Sequence, residues 1–519
     1  MTNTKTIAKN SGWFGLESLV GTVISLVTSI VIARTLGPTR MGYLVYVFWV
    51  VSVVSGLAGT GIPATTRKYM AEFLGRGDRG TARYIYFRTL ALQSLIAVIA
   101  AVAILTWVLT DSTPGYRLAS ALIAVSVLPG LINSVSAWAN VANEDLGANV
   151  PASIASTLTY FTFVVLSIWL KWGVNGIALA FLLSRVADCT IRIIPALRRF
   201  ASWEKVSALP DGISRRMVAF AWQSIASMLA ALIVWNRSEI FLLKHLCTDV
   251  RQIAFYSVAF GMGDKLLMAA TIFASAAGTT IFAQFGRDKT RLPEIAATSL
   301  RYLAMLSFPL HSIAAALAVS AMMVLYGQQY AGAAMVVAIA PLLCMPKAFF
   351  GPIQNLLESH EKQNLVIAAT AAAGVADYTV AALLIPRWGA VGACIGSGTA
   401  QVLAVVVMWS IGIRRYNIKL GWTHLLKTAI ASAAASGAAY LVASHSSSLV
   451  GVIAGGLLSL LVLATSVYFL GVLEEQDRVR LQMIASMLPA RWSRPAARLI
   501  NMLCRSPRAS AVDKNGIAA

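Results

Sequence analysis

Nine ionisable side chains stand inside long apolar runs of this sequence: Glu17, Arg185, Asp188, Arg237, Glu239, Asp264, Lys265, Lys347 and Asp377. Hydrocarbon makes each costly, roughly 2.5–3.5 kcal/mol at a helix centre on insertion scales, so each needs a protein interior or a water-filled cavity. Arg237, Lys265 and Lys347, joined by Arg185, would form a cationic lumen suited to a diphosphate. The carboxylates Glu17, Glu239, Asp377 and Asp188 are candidates for binding a coupling proton or sodium ion.

Plainer roles compete with these. Arg185 and Asp188 lie three apart on one helical face, where an internal ion pair is the competing role. Arg237 and Glu239 are two apart, point to different sides of a helix, and each needs its own partner. Arg237 either grips an anionic substrate or snorkels to the outer interface. Gln354 follows Lys347 by seven residues on the same face. Glu17 and Asp377 compete with the reading of a satisfied buried carboxyl, Asp377 having no basic neighbour in its own span. His311, alone on an apolar stretch, reads as packed or interfacial before it reads as a proton relay. The small-residue runs 371–374 and 389–398 read as close helix contacts.

No Walker loop, H-E-x-x-H or nucleophile elbow with a usable triad occurs, and no loop before the tail exceeds about 25 residues, so a membrane-embedded enzyme is disfavoured. Cys189, Cys247, Cys344, Cys394 and Cys504 lie far apart without C-x-x-C spacing, which implies neither zinc nor a disulfide framework. No metal or cofactor is expected.

The elements that must position these residues are transmembrane helices. Hydrophobic residues make up 58% of the chain and charged ones 12%, about half the soluble norm. Apolar runs of about 20 residues recur throughout, each long enough to cross a bilayer. Punctuation by Gly, Pro and charge gives fourteen spans: 11–35, 41–64, 86–110, 117–141, 151–171, 174–199, 216–244, 252–284, 294–325, 331–358, 363–385, 389–413, 423–443 and 448–470. The first follows Lys5 and Lys9 as a signal peptide would, but its length and the lack of a small-x-small site favour a retained helix. The expected fold class is therefore an all-α polytopic membrane protein.

The net charge of +21 raises nucleic acid as a partner, yet the basic residues are dealt out between spans and form no single patch. With the N-terminus inside, inner segments carry 31 of the 42 Lys and Arg, outer loops seven, and the spans themselves four. That bias puts both termini in the cytoplasm, as an even span count also requires.

An internal repeat divides the chain. Leu36, Met41-Gly42-Tyr43 and Ala71-Glu72-Phe73 echo Leu246, Ile253-Ala254-Phe255-Tyr256 and Ala283-Gln284-Phe285, pairing spans 1–2 with spans 7–8. Six spans separate the copies, which makes them parallel repeats about an axis along the membrane normal. The expected organisation is an N-lobe (1–199), a cytoplasmic linker (200–215), a pseudo-symmetric C-lobe (216–413), two further helices (414–470) and a basic amphipathic tail (471–519). In the tail, Leu481, Ile484, Met487, Leu488, Leu499, Ile500 and Leu503 among several Arg suggest short helices on the anionic inner leaflet, followed by a disordered end.

Ala33-Arg34-Thr35-Leu36-Gly37-Pro38 and Met41-Gly42-Tyr43, followed by Gly56-Leu57, Gly61 and Arg67-Lys68, resemble the opening of the polysaccharide transport family. These are bacterial lipid-linked oligosaccharide flippases, among them O-antigen and exopolysaccharide exporters, of the multidrug/oligosaccharidyl-lipid/polysaccharide flippase superfamily. Arg237-Ser238-Glu239-Ile240 and Ala254-Phe255-Tyr256-Ser257-Val258-Ala259 are similar to the family's segment around spans 7 and 8, where an acidic residue often stands at the place of Glu239. The loop between those spans has Cys247-Thr248-Asp249 where the family often has Gly. The resemblance covers about the first 470 residues. It implies a polyprenyl-diphosphate oligosaccharide as substrate, alternating access in the bacterial cytoplasmic membrane, contact with membrane lipids, and a polymerase and glycosyltransferases as partners. A cation-coupled multidrug exporter and a non-transporting scaffold of a polysaccharide assembly complex remain the alternatives.

The charge asymmetry makes a direct prediction. A reporter that is active only outside the cytoplasm should be inactive when fused after residue 80 or residue 210 and active when fused after residue 113. The reverse pattern would overturn the topology.

Overall fold

The structure is a computed structural model; it describes residues 4–111, 114–206, 208–235, 237–285, 288–445, 448–486 and 490–503. Among the described residues every regular element is an α-helix or a short 3-10 turn. Eleven helices are long and apolar enough to cross a membrane. All fourteen expected spans have helical counterparts. One of the eleven, Gly21–Gly75, carries spans 1 and 2 together, and spans 6 and 7 fall on helices outside the eleven.

The chain divides into two compact units, and the first comprises Met1–Ser257 with Ala382–Ala393. It contains α1 (Thr4–Ala58), α2 (Gly61–Gly75), α3 (Arg79–Asp111), α4 (Arg117–Val125), α5 (Val127–Ala142), α6 (Val150–Trp169), α7 (Gly173–Ala201), α8 (Ile213–Trp235), α9 (Glu239–Leu246) and the first turns of α10 (Arg251–Phe285). Spans 1 and 2 join at Gly37, whose φ of 71° and ψ of 170° only a residue without Cβ adopts freely. One apolar core, built around Leu44, Val47, Ile104, Ile123 and Ile177, lies toward that joint. A second core gathers Tyr69, Met70, Ile85, Tyr86 and Phe200 at the opposite, basic end, where Tyr86 Oη and Ser136 Oγ are hydrogen-bonded at 2.9 Å. The turn into α3 is capped by Asp78, which accepts from the Thr81 amide at 2.8 Å; the Thr81 hydroxyl and amide hold its carboxyl below the usual range.

The second unit, Val258–Ala381 with Cys394–Ala519, holds the rest of α10, α11 (Leu292–Tyr326), α12 (Ala334–Cys344), α13 (Phe350–Ser359), all but the last turns of α14 (Gln363–Trp388), all but the first turn of α15 (Ala390–Tyr416), α16 (Trp422–His445) and α17 (Leu449–Leu470). The tail forms α18 (Glu475–Ser486) and α19 (Ala490–Leu503). Helix α16 buries Ala431, Ala435, Ala439 and Ala443, a small residue on each turn of one face, which lets α11 and α17 approach closely. The run 389–398 acts in the same way: a Cβ on Gly396 would lie 2.8 Å from that of Ala381.

Four expected spans are interrupted. Span 2 breaks after Ala58, where Pro63 has no amide for the carbonyl of Gly59. Span 4 breaks at Ser126 because Pro129 cannot donate to Val125. Span 10 passes through a 3-10 turn at Met345–Phe349 that contains Pro346. Span 7 breaks between α8 and α9, at a polar run containing Arg237 and Ser238. In the loop after α9, Asp249 makes the turn that the absent Gly would have made: its Oδ1 accepts from the Arg251 amide at 3.0 Å.

The tail is clamped to unit 2. Asp477, 1% exposed, accepts from Arg301, from Tyr302 Oη at 2.7 Å and from the Glu474 amide at 2.9 Å. Glu474 in turn meets His424 Nε2 at 2.8 Å. Leu481 and Ile500 are half-buried; the side chains of Ile484, Met487, Leu488, Leu499 and Leu503, and the residues after Leu503, lie outside those described.

Asp477→Ala should weaken tail docking by on the order of 1–2 kcal/mol, because Tyr302 and the Glu474 amide lose their acceptor while Arg301 keeps only its 3.3 Å contact to Glu474. Limited proteolysis should then release the segment after residue 470 faster while the membrane-spanning part stays intact. Unchanged cleavage would mean that the ion pair does not hold the tail.

Candidate functional site

The break in span 7 concentrates the unusual features of unit 1. Arg237 has a φ of 56°, in the left-handed region, where a bulky L-residue costs on the order of 1 kcal/mol. Its carbonyl accepts from the Ile240 amide at 3.1 Å, and the Ser238 carbonyl accepts from Phe241 at 3.0 Å, so α9 starts with tight three-residue turns. Glu239 opens α9, where the helix dipole favours a negative charge, and its side chain is 2% exposed. Its Oε2 accepts from Tyr256 Oη of α10 at 2.7 Å. Sequence spacing placed Arg237 and Glu239 on different sides of one continuous helix. The structure puts them on either side of a joint, Arg237 half-buried within it and Glu239 packed beneath. A residue type that can hold phosphate oxygens thus lies in the joint two positions before a buried carboxyl.

One turn further along α9, Lys244 reaches over two rings of α1, with Nζ 5.4 Å from the Tyr43 centroid and 5.6 Å from that of Tyr46. Tyr43 stacks on Tyr116 at 4.5 Å, and Trp107 stands against Tyr46 at 5.9 Å. These groups line a narrow aromatic hollow of about 30 Å³. Sequence reasoning missed it. The signal was the density of Tyr and Trp near the Gly37 end of the helices, which also reads as ordinary interfacial aromatics.

Asp188 behaves differently from the expected coupling carboxylate. Its Oδ1 is held by Arg192 at 2.6 Å and its Oδ2 by Asn133 Nδ2 at 2.6 Å, and Arg192 also donates to Ser153 at 3.3 Å. Both oxygens are occupied, so the internal ion pair is the structure's answer, with Arg192 four residues on as partner and not Arg185. Arg185 is exposed and lies over the Phe181 ring at 5.0 Å.

In unit 2, Lys265 is half-buried on α10 beside Asp264, and Lys347 is half-buried in the 3-10 turn of span 10. The turn breaks the helical phase expected between Lys347 and Gln354, and Gln354 donates to Glu358 at 2.7 Å. Asp377 is 0% exposed on α14. His311 is fully buried on α11, with Nδ1 against the Ser307 carbonyl at 2.8 Å, a packed histidine. Glu17 lies in α1, but its side chain is outside those described. Among the described residues no group of three or more His, Cys, Asp or Glu is placed to hold a metal ion, and Cys189 and Cys247 are free thiols.

No curated protein matches the sequence. Among solved structures the chain is similar to the lipid II flippase MurJ in an inward closed conformation, with 11% identity over 88% of this chain and 98% of that one and a TM-score of 0.67. It is also similar to an inward-facing multidrug resistance MATE family transporter of the MOP superfamily, with 16% identity, coverage of 76% and 94%, and a TM-score of 0.65. At these identities the likeness establishes the fold. A family model described as polysaccharide biosynthesis protein matches residues 7–286. That match spans more than half of the 519 residues, and the chain belongs to the polysaccharide biosynthesis protein family.

Proposed function

We propose that the chain is a flippase that moves a polyprenyl-diphosphate-linked oligosaccharide across the bacterial cytoplasmic membrane by alternating access. The observation that carries this reading is the broken span 7, which sets Arg237 at a non-helical joint two residues before the buried Glu239. Interrupted helices are where membrane transporters bind charged cargo, because the joint supplies unsatisfied backbone groups and side chains at depth. Family membership and the fold shared with a lipid II flippase support the substrate class.

The physical task is to move a diphosphate and hydrophilic sugars through hydrocarbon. Isolated, that charge would cost tens of kcal/mol by Born solvation, and cations held by the protein replace the lost hydration. Arg237, Lys265, Lys347 and Arg185 are assigned to the diphosphate, while the polyprenyl chain stays in lipid. The aromatic hollow beside Lys244 offers ring faces for sugars. Glu239, Asp377 and Glu17 are the coupling candidates; Asp188 is not among them, because Arg192 and Asn133 occupy it. A polymerase and glycosyltransferases are the expected partners, and the 1–199 and 216–413 lobes the expected moving bodies. A multidrug exporter shares the fold, and the family match to a polysaccharide biosynthesis protein is what favours the lipid-linked saccharide over a drug as cargo.

Arg237→Gly separates the cation from its backbone role. Glycine removes the strain at φ 56°, so thermal stability should hold or rise by up to about 1 kcal/mol, while flipping should fall at least roughly tenfold. Flipping is read in proteoliposomes by access of an external lectin to the sugar. Full activity in this variant would remove Arg237 from the substrate site.

Coupling is tested with imposed gradients. Glu239→Gln keeps a hydrogen-bonding partner for Tyr256 but loses the titratable group, so any dependence of flipping on a proton or sodium gradient should disappear. A gradient dependence that survives intact excludes Glu239 as the coupling residue.

A further inference from the structure

Unit 2 contains a second cavity, of about 800 Å³, that none of the candidate transport residues lines. It opens between the start of α11 and the end of α10, the basic end of the helices, and the tail helix α18 forms its remaining side. Phe273 and Ala277 of α10 and Ile295 and Leu306 of α11 make its apolar walls. Its rim carries Arg291, Glu294 and Arg480. The size falls within the usual 300–1,000 Å³ of a ligand site.

The position of Arg480 is built, not incidental. Asp477 is anchored to Arg301 and Tyr302, and one turn later Arg480 donates to Tyr302 Oη at 3.3 Å, which fixes the guanidinium at the rim. Arg291 has only a wide, exposed contact to Asp288 at 3.5 Å, a pair that contributes little. A cavity with apolar walls and a charged rim, at the interfacial end of membrane-spanning helices, fits a lipid with its head at the rim and a chain inside. Two guanidinium groups and one carboxylate match a headgroup that carries a phosphate and an ammonium. A purely anionic head would leave Glu294 facing negative charge.

We propose that this cavity binds one aminophospholipid, its phosphate at Arg291 and Arg480, its ammonium at Glu294 and an acyl chain between Phe273, Ala277 and Leu306. The tail helix is then one wall of a lipid site, and a bound lipid and the Asp477 clamp hold it in place together.

The test uses the purified full-length chain and native mass spectrometry with phosphatidylethanolamine, phosphatidylglycerol, phosphatidylcholine or polyprenyl monophosphate added separately. One retained phosphatidylethanolamine is expected, favoured over phosphatidylglycerol by roughly fivefold or more. The Arg291→Gln/Arg480→Gln pair, both exposed and so safe for folding, should lose retention roughly tenfold. Glu294→Gln should erase the preference over phosphatidylglycerol yet keep lipid binding, and Ala277→Trp should block binding by filling the chain space. Equal retention of phosphatidylglycerol, stronger retention of polyprenyl monophosphate, or full retention by the double arginine variant overturns the proposal. Flipping assayed in parallel keeps the two readings apart, since loss of this site leaves Arg237 and the other assigned cations unchanged.

Discussion

Hydrocarbon offers no hydrogen-bond partner to a peptide group, and each one left open costs several kcal/mol. That constraint makes every spanning segment of this chain helical and gives its exceptions meaning. Breaks occur at four spans, and at three of them a proline removes an amide that the preceding turn needed. The fourth break, in span 7, has no proline. It rests on a polar run and on an arginine held at a positive φ, a conformation that local sequence preference does not favour. The same left-handed backbone follows other helices of the chain, at Glu144, Lys171, Glu361 and Asn417, so at Arg237 it closes α8 as a helix end and thereby opens the joint.

The same solvent sorts the buried charges. Asp188 is balanced inside unit 1 by Arg192 and Asn133, each at 2.6 Å, and α5 and α7 are tied together by that exchange. Such a group has little capacity left for a substrate or an ion. Glu239 lies in different surroundings: its Oε2 accepts from the Tyr256 phenol at 2.7 Å, and it stands at a helix N-terminus, where the dipole favours a negative charge.

Apolar run length made the all-helical membrane fold legible, because a run near 20 residues has few alternatives to a crossing helix. The breaks were written in Pro63, Pro129 and Pro346, but a hydropathy window averages over single residues, so spans 2, 4 and 10 read as continuous. The partner of Asp188 was hidden for a different reason. Arg192 counts as a cytoplasmic loop charge when Lys and Arg are tallied for topology, although the helix carries it four residues past Asp188 and buries it. The Asn133 contact joins positions 55 apart, beyond any spacing rule. The loop at Asp249 shows local chemistry substituting for a family glycine, since an Asp side chain can close a turn on its own backbone.

The tail was legible as basic and amphipathic, which suggested a helix resting on the membrane surface. Its first helix is in addition pinned by an acidic pair, Glu474 and Asp477, to Arg301 of α11 and His424 of α16. A surface helix held only by apolar burial and lipid charge would slide and rotate; one anchored through a carboxylate that is 1% exposed has a fixed register. Fixed register is what allows Arg480 to stand at one place on a cavity rim. The acidic residues of an otherwise basic tail thus supply the specificity, and the arginines around them gain a defined position from which to act.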